Sequence, residues 1–473
     1  MCAVIGALVW NITTPDALKE VNSIIDHIMT ASVQRGRDGR GFMLNSSSEL
    51  EPLFLRDTAR ADDQQQANTD YPYVTDLCSS AVYLSNLRAE PTSEYVKDKQ
   101  LIDQQPYVVA PWAIVHNGTI ANDKALRTYA HPTKIDSAAV AEVLASVTLD
   151  EAPDLMETFW HFYSGVAQLK GSYAILANYL AQCNQLHVAV NYRPVWYIET
   201  PYGVFFASAR DYLPEQYAPR MVQPYTAMNF QWNGEELETL TVPLRVKSHR
   251  SKALVVCSGG LDSVVAAAYA QKALGYEIEL IHFQYGCRAE GPEVHAVQQV
   301  GEALGVKTTL FPLPVYKKED SPLLNSDSAV AGGEAGAEFA HEWVPARNLL
   351  LLSVATAYAE ANGFDTIVLG NNLEEAGAYP DNEPEFIARF NDLLPFAVGD
   401  GKFMEVIMPV GNLMKHEIVA LGQTVGAPLH LTWSCYRAGE QHCGTCGPCY
   451  MRRIAFQINN TPEVITYEKE QPL

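Results

Sequence analysis

The chain has 473 residues, an apolar share of 48% and a formal net charge of −22. That length calls for two or three domains rather than one core, and no apolar run approaches a membrane span. The acidic surplus repels phosphate backbones, so nucleic acid is disfavoured as a partner unless a local basic groove exists, and a small-molecule acceptor is the simpler expectation.

The first residues, Met1-Cys2-Ala3-Val4-Ile5-Gly6, carry no basic flank and no cleavage-like site, so no signal peptide is expected. Removal of Met1 would leave Cys2 with a thiol and an α-amine on one residue, and the amine can then serve as base for the thiol. Position two alone is weak ground. Gln34-Arg35-Gly36-Arg37-Asp38-Gly39-Arg40-Gly41 follows a helical segment, and Arg88 sits in Leu84-Ser85-Asn86-Leu87-Arg88-Ala89-Glu90-Pro91-Thr92 after an apolar strand. His116-Asn117-Gly118-Thr119-Ile120 follows the apolar run Trp112-Ala113-Ile114-Val115, and Ile135-Asp136-Ser137 opens a helix. The stretch from Asp57 to Thr75, with Gln64-Gln65-Gln66, reads as an exposed loop. Cys78 and Cys183 lie in apolar, strand-like runs and read as core residues. Charge rises after Asn233, which places a linker at 247–251 between a first domain at 2–246 and a second at 252–473.

In this order and spacing the first-half motifs resemble class II glutamine amidotransferases, the Ntn-hydrolase glutaminases, over residues 2 to 210. The resemblance implies an α+β sandwich layered αββα. It implies that Cys2 attacks the side-chain amide of L-glutamine, that Asn117 and the Gly118 N–H hold the oxyanion, and that Arg88 and Asp136 pair with the α-carboxylate and α-ammonium. Two departures stand out: Arg37 where the family has Pro, and Ser85-Asn86 where it has Gly-His. Both are read as matters of loop shape.

In the second half, strands at Leu254 to Cys257, Glu277 to Phe283, Thr308 to Pro312 and Thr366 to Leu369 alternate with helices at Val264 to Leu274, Glu293 to Leu304 and Asn348 to Ala361. The alternation predicts an α/β domain, an open parallel sheet with helices on both faces and its ligand at the C-terminal strand ends. Ser258-Gly259-Gly260-Leu261-Asp262-Ser263 falls at such an end, between a strand and a helix N-terminus, where backbone N–H groups and the helix dipole favour an anion. Asp262 is expected to orient Mg2+ or the loop itself. The loop resembles the pyrophosphate loop of N-type ATP pyrophosphatases, which activate an oxygen with AMP.

Nine cysteines, four of them near the C-terminus, favour a reduced, cytoplasmic protein with a metal site over a disulfide framework. Cys435, Cys443, Cys446 and Cys449 suit a closed, tetrahedral structural Zn2+. Together with Tyr379-Pro380-Asp381 and Trp433-Ser434-Cys435-Tyr436, they make this half resemble the 7-cyano-7-deazaguanine synthase (QueC) family, from Lys252 to Phe456. The resemblance implies ATP at Ser258 to Ser263, with Arg347 and Lys415 on phosphates or on an activated 7-deazaguanine; the bland reading of both is a surface ion pair. The sequence departs from the family at Gln284, at Cys287-Arg288-Ala289, at Glu375 and at Asn382-Glu383, all expected at the acceptor pocket or its approach. Cys287 reads as a pocket-lining thiol, with a thiolate that traps a nitrile as the alternative. Glu334 to Glu342 reads as a lid or an insertion.

The function expected from the two resemblances is transfer of ammonia, kept inside the protein, from glutamine to an ATP-activated 7-deazaguanine. The product is the 7-cyano base or its archaeosine-type formamidine. The alternatives are an asparagine-synthetase-like ligase, which lacks the cysteine cluster, and a non-catalytic scaffold of a modification complex. The oligomeric state stays open, a homo-oligomer included.

Overall fold

The computed structural model describes residues 2–36, 38–58, 73–89, 100–148, 154–245, 251–325, 327–328, 343–376, 379–399, 402–463 and 465–469. Arg37, Gln64 to Gln66, the linker residues 247–250 and the stretch Glu334 to Glu342 lie outside them. The chain divides into two compact units, Met1–Val246 and Lys247–Leu473.

Unit one is built from two antiparallel sheets. The first holds β1 (Ala3–Ile12), β2 (Gly39–Ser46), β3 (Leu53–Asp57) and β4 (Cys78–Arg88). The second holds β5 (Tyr107–Val109), β6 (Trp112–Ile120), β7 (Gly171–Tyr179) and β8 (Gln185–Val190). Strands β9 (Trp196–Thr200), β10 (Gly203–Ala207) and β11 (Arg220–Met221) complete the first, in the order β11-β9-β10-β1-β4-β2-β3; β12 (Thr226–Trp232) and β13 (Leu237–Pro243) complete the second, in the order β13-β12-β8-β7-β6-β5.

Side-chain alternation assigns each strand face a layer. Val4 and Leu8 of β1 pack with Val115, Leu176 and Val188 of the second sheet, which makes the middle core. Ile5, Ala7 and Val9 face the other way, onto Val21, Ile25 and Ile28 of the helix Pro15–Ser32. Ile114 and Ile175 of the second sheet pack outward on Leu144 and Phe162, from the helices Ala138–Val147 and Leu155–Val166. The unit is therefore layered helix, sheet, sheet, helix. Cys78 is buried at the start of β4, but Cys183 lies in the bend between β7 and β8 rather than in a strand.

Unit two is one parallel sheet. Its strands are β14 (Lys252–Val256), β15 (Glu277–Gln284), β16 (Thr308–Pro312), β17 (Thr366–Val368) and β18 (Glu405–Ile407), in the order β16-β15-β14-β17-β18. Ala253 and Val255 point to one face, covered by the helices Leu261–Lys272, Glu290–Leu304, Lys415–Thr424 and Gly447–Ile458. Leu254 and Ile281 point to the other, under Arg347–Asn362 and Pro384–Ala397. The strand order reverses beside β14, and that reversal leaves a crevice at the C-terminal strand ends.

His187 is fully buried among Trp112, Phe159 and Phe162, and burial lowers it from 6.5 to about 3. The unfolded chain binds that proton below about 6.5 and the folded chain does not until about 3, so stability falls as pH drops through this window. His187→Phe should flatten the loss, which is at most about 1.4 kcal/mol per pH unit. Urea melts at pH 7 and pH 4.5 check this; an unchanged difference between the two would contradict it.

Candidate active site

In unit one, antiparallel pairing of β1 with β4 sets Ala3 opposite Leu87, which brings Cys2 beside Arg88. Ala89 N donates to Cys2 Sγ at 3.4 Å, and Cys2 Sγ faces Ala89 O at 3.7 Å. Asn86, buried in β4, ties this corner to the second sheet: its Nδ2 donates to Ala3 O at 3.2 Å and to His116 O at 3.4 Å. Gln105 clamps His116 from the other side, accepting from its N–H at 2.6 Å and donating to its carbonyl at 2.9 Å.

Asn117 and Gly118 follow directly. Asn117 Nδ2 is buried with no hydrogen-bond partner among the described residues. Gly118 has φ +144°, and a Cβ there would lie 1.9 Å from Ser172 O, so only glycine fits. Asp136 Oδ2 accepts from Ile120 N at 2.6 Å and Oδ1 from Ser137 N at 2.8 Å, which fixes the carboxylate at the end of β6. Arg88 donates to the carbonyl of Asp103, as does Tyr107 Oη at 2.7 Å. Burial raises the Tyr107 phenol, and Arg88, Asp103, Cys2 and Asp136 are all close enough to act on its charge. Three of the predicted residues, Cys2, Arg88 and Asp136, thus lie within charge range of Tyr107.

In unit two, β14 runs into Ser258 to Ser263, and the helix Leu261–Lys272 leaves from it. Gly260 N donates to Ser258 Oγ at 3.2 Å, and Ser263 Oγ donates to Gly260 O at 3.1 Å. Three neighbours hold the loop. A Cβ on Gly370, after β17, would lie 2.5 Å from Ser263 N, and one on Gly259 (φ +79°) would lie 2.9 Å from Glu293 O. Trp433 N donates to Gly259 O at 2.9 Å.

A cavity of about 260 Å³ opens on this loop. Its wall includes Asp262, Glu293, Arg347, Asp381, Lys415 and Tyr436. Lys415 Nζ meets Asp262 Oδ2 at 2.5 Å, and Asn372 Nδ2 donates to the same oxygen at 3.3 Å. That oxygen is therefore engaged by an ammonium. Burial alone would lower Arg347; Tyr285 and Asp381 beside it outweigh that and hold it above its ordinary range. Burial raises the Cys287 thiol, and Glu293 raises it further, so it faces the cavity as a neutral thiol.

The four cysteine sulfurs of the C-terminal segment lie within 4.8 Å of one another and are buried. The Cys443–Cys449 and Cys435–Cys446 sulfur pairs are 4.0 Å apart, close to the edge of about 3.8 Å that a tetrahedron with Zn–S bonds of about 2.3 Å requires. Backbone N–H groups of Arg437 and Cys443 point at Cys435 Sγ, at 3.3 and 3.4 Å, and those of Thr445 and Cys446 at Cys443 Sγ, at 3.4 and 3.3 Å. Such donors favour thiolates, so the set fits a zinc ion. Arg452, fully buried, binds Thr432, Ser434, Leu429 and Glu463 and fixes the cysteine-bearing segment against the cavity.

Of the departures expected at the acceptor pocket, Cys287, Arg288, Ala289 and Asn382 line the cavity. Gln284 and Glu383 are not among its lining residues. Gln284 is the last residue of β15, and Glu383 caps the helix Pro384–Ala397. The side chain of Glu375 lies outside the described residues. Asn86 is no loop residue but a strand-borne bridge. Sequence reasoning overlooked Gln105, Tyr107, Glu293 and Arg452. Polar residues outside any motif give no periodic signal.

Residues 252–460 match the family described as queuosine biosynthesis protein QueC. Over 99% of its length the chain is 39% identical to a 7-cyano-7-deazaguanine synthase of Sulfolobus acidocaldarius, all of which is covered, and 40% identical to 7-cyano-7-deazaguanine synthase 2 of Sulfurisphaera tokodaii, also covered in full. A half-length synthase of Methanothrix thermoacetophila is 40% identical, over 46% of this chain and 99% of its own. The chain belongs to the 7-cyano-7-deazaguanine synthase family. The structure of glutamine phosphoribosylpyrophosphate amidotransferase from B. subtilis, complexed with ADP and GMP, covers 90% of each chain at TM-score 0.37 and 13% identity, a likeness too distant to bear on activity.

Cys449→Ser opens the buried sulfur set. The purified variant should hold well under one zinc per chain and melt several degrees lower, by metal analysis and thermal denaturation. Full zinc content at unchanged melting temperature would contradict the assignment.

Proposed function

We propose that the protein is a glutamine-dependent, ATP-using amidotransferase that converts 7-carboxy-7-deazaguanine to 7-cyano-7-deazaguanine. The observation that carries the reading is the full-length identity to synthases of that name, joined to a cavity lined by a strand-to-helix glycine loop at parallel strand ends. The family membership leaves the asparagine-synthetase-like alternative without support.

The roles follow from position. The Cys2 thiol attacks the glutamine amide carbon, its own α-amine taking the proton. Asn117 Nδ2, buried and otherwise unpartnered among the described residues, and the Gly118 N–H stabilise the oxyanion. Arg88 and Asp136 hold the amino-acid end. In unit two the Ser258 to Ser263 N–H groups take the ATP phosphates, with Mg2+ as their counter-ion, and Arg347 and Lys415 balance charge as AMP passes to the carboxylate oxygen. Ammonia displaces AMP to give the amide, and a second activation removes the amide oxygen to leave the nitrile. Zinc shapes the C-terminal wall and takes no part in the chemistry.

The protein should be incubated with glutamine, ATP and magnesium and offered the carboxy and cyano bases separately. A nitrile product from the carboxy base is expected by mass spectrometry. Conversion of the cyano base alone, with a mass gain of one ammonia, would replace the nitrile by the formamidine. Cys2→Ala should lose glutamine-supported turnover by ~10³-fold or more and keep ammonium-supported turnover near wild type; equal loss of both would contradict the roles. Lys415→Ala, which removes one charge-assisted contact, should raise the KM for ATP by roughly 10-fold or more. An unchanged KM would return Lys415 to a structural ion pair.

A further inference from the structure

Three carboxylates line the cavity, and they differ in what engages them. Asp262 is engaged by Lys415 at 2.5 Å. Asp381 accepts from Asn348 N at 3.2 Å and lies within charge range of Arg347. Glu293 is different. It sits in the first turn of the helix Glu290–Leu304, and its carboxylate is met by the Cys287 thiol, which donates to Oε2 at 3.4 Å. A thiol is a weak donor and stabilises a carboxylate little. The backbone of Glu293 abuts Gly259, at the 2.9 Å a Cβ there would have to the Glu293 carbonyl. Glu293 thus lines the cavity beside the Ser258 to Ser263 loop.

The proposed reaction needs a base at that place. When ammonia attacks the AMP-activated carbon, an N–C bond forms and the C–O bond to AMP breaks. The electron pair leaves on the AMP phosphate, and the third N–H proton must go somewhere. A carboxylate paired to lysine is a poor acceptor, because the cation holds its charge. We infer that Glu293 is the general base that takes this proton as ammonia displaces AMP. The inference rests on the reading of the cavity as the place where the activated 7-deazaguanine meets ammonia.

Electrostatics support the geometry. Burial pushes Glu293 up to about 7, against the lowering effect of the Cys287 hydrogen bond and of Arg347. The ionisable groups that face it are Cys287 and Tyr285 after β15, Glu290 on its own helix, Cys257 after β14 and Arg347 on the helix across the cavity. A base with that value is half-charged near neutrality, where general-base catalysis is most effective. The carboxylate accepts a proton only above its own value, so turnover falls as pH drops through about 7.

The test uses the full-length protein with ammonium as nitrogen source and free ammonia held constant across pH, which leaves the glutamine site out of the measurement. Two reactions are read: pyrophosphate–ATP exchange that depends on the carboxy base, which needs activation but no nitrogen, and amide plus nitrile formation. Glu293→Gln should keep the exchange and lose product formation by 10²–10⁴-fold in kcat. It should also lose the acidic limb of the pH profile, while Glu293→Asp recovers part of the rate. Exchange and product formation lost in parallel would make Glu293 structural and overturn the proposal; so would a variant with wild-type kcat and the same limb. A wild type that shows neither reaction would instead defeat the proposed function itself.

Discussion

The loop from Ser258 to Ser263 can approach a phosphate only if its backbone is held open, and close packing holds it there. Gly370 lies where any side chain would strike Ser263, and the first turn of Glu290–Leu304 lies where one on Gly259 would strike it. The Trp433 N–H takes the Gly259 carbonyl and the Ser263 hydroxyl takes that of Gly260, so two loop carbonyls are tied back, as is the Gly260 N–H by Ser258 Oγ. Each neighbour comes from a different part of unit two: the end of β17, the helix after β15 and the C-terminal segment. The cysteine cluster matters to the site for this reason. It anchors, with Arg452, the same segment that carries Trp433 and Ser434 to the cavity. The four cysteines are not among the cavity's lining residues, yet Ser434, Tyr436 and Pro448 beside them are.

The organisation of unit two could be read from sequence because its signals are local. A fully buried parallel strand is a short apolar run, and Thr308 to Pro312 is recovered at both ends. The apolar pattern starts two helices late, at Val264 and Glu293 against Leu261 and Glu290, because a glycine turn and a proline blur it there. Strand β18 is three residues long, too short to show a period. The helices Pro384–Ala397 and Gly447–Ile458 are not expected from the sequence; the first has Pro395 inside it and the second opens on Gly447-Pro448. Cysteine spacing, by contrast, predicts a cluster directly, since a short segment can bring four thiols together in few ways.

The charged lining of the cavity was less legible. Lys415 and Asp262 are 153 positions apart and meet through the fold, so neither residue signals the other. Glu293 looks like any acidic residue at a helix start; only its place in the cavity wall beside Gly259 distinguishes it. Unit one shows the same limit. The motifs around Cys2, Arg88, Asn117 and Asp136 stand out, whereas Gln105 and Tyr107 have no pattern in sequence and join those motifs only through contacts made in the fold. Asn86 read as a departure in loop shape, yet its amide spans from Ala3 to His116. A substituted motif residue can thus mark an altered connection rather than a relaxed one.

The central claim is that nitrogen freed at Cys2 ends in the base activated at Ser258 to Ser263. The most direct measurement supplies glutamine labelled with ¹⁵N in its amide, together with the carboxy base, ATP and unlabelled ammonium, and reads the isotope in the nitrile by mass spectrometry. The account predicts a nitrile that carries ¹⁵N, with AMP and pyrophosphate released alongside. A nitrile formed without label, while glutamine stays intact, would contradict it.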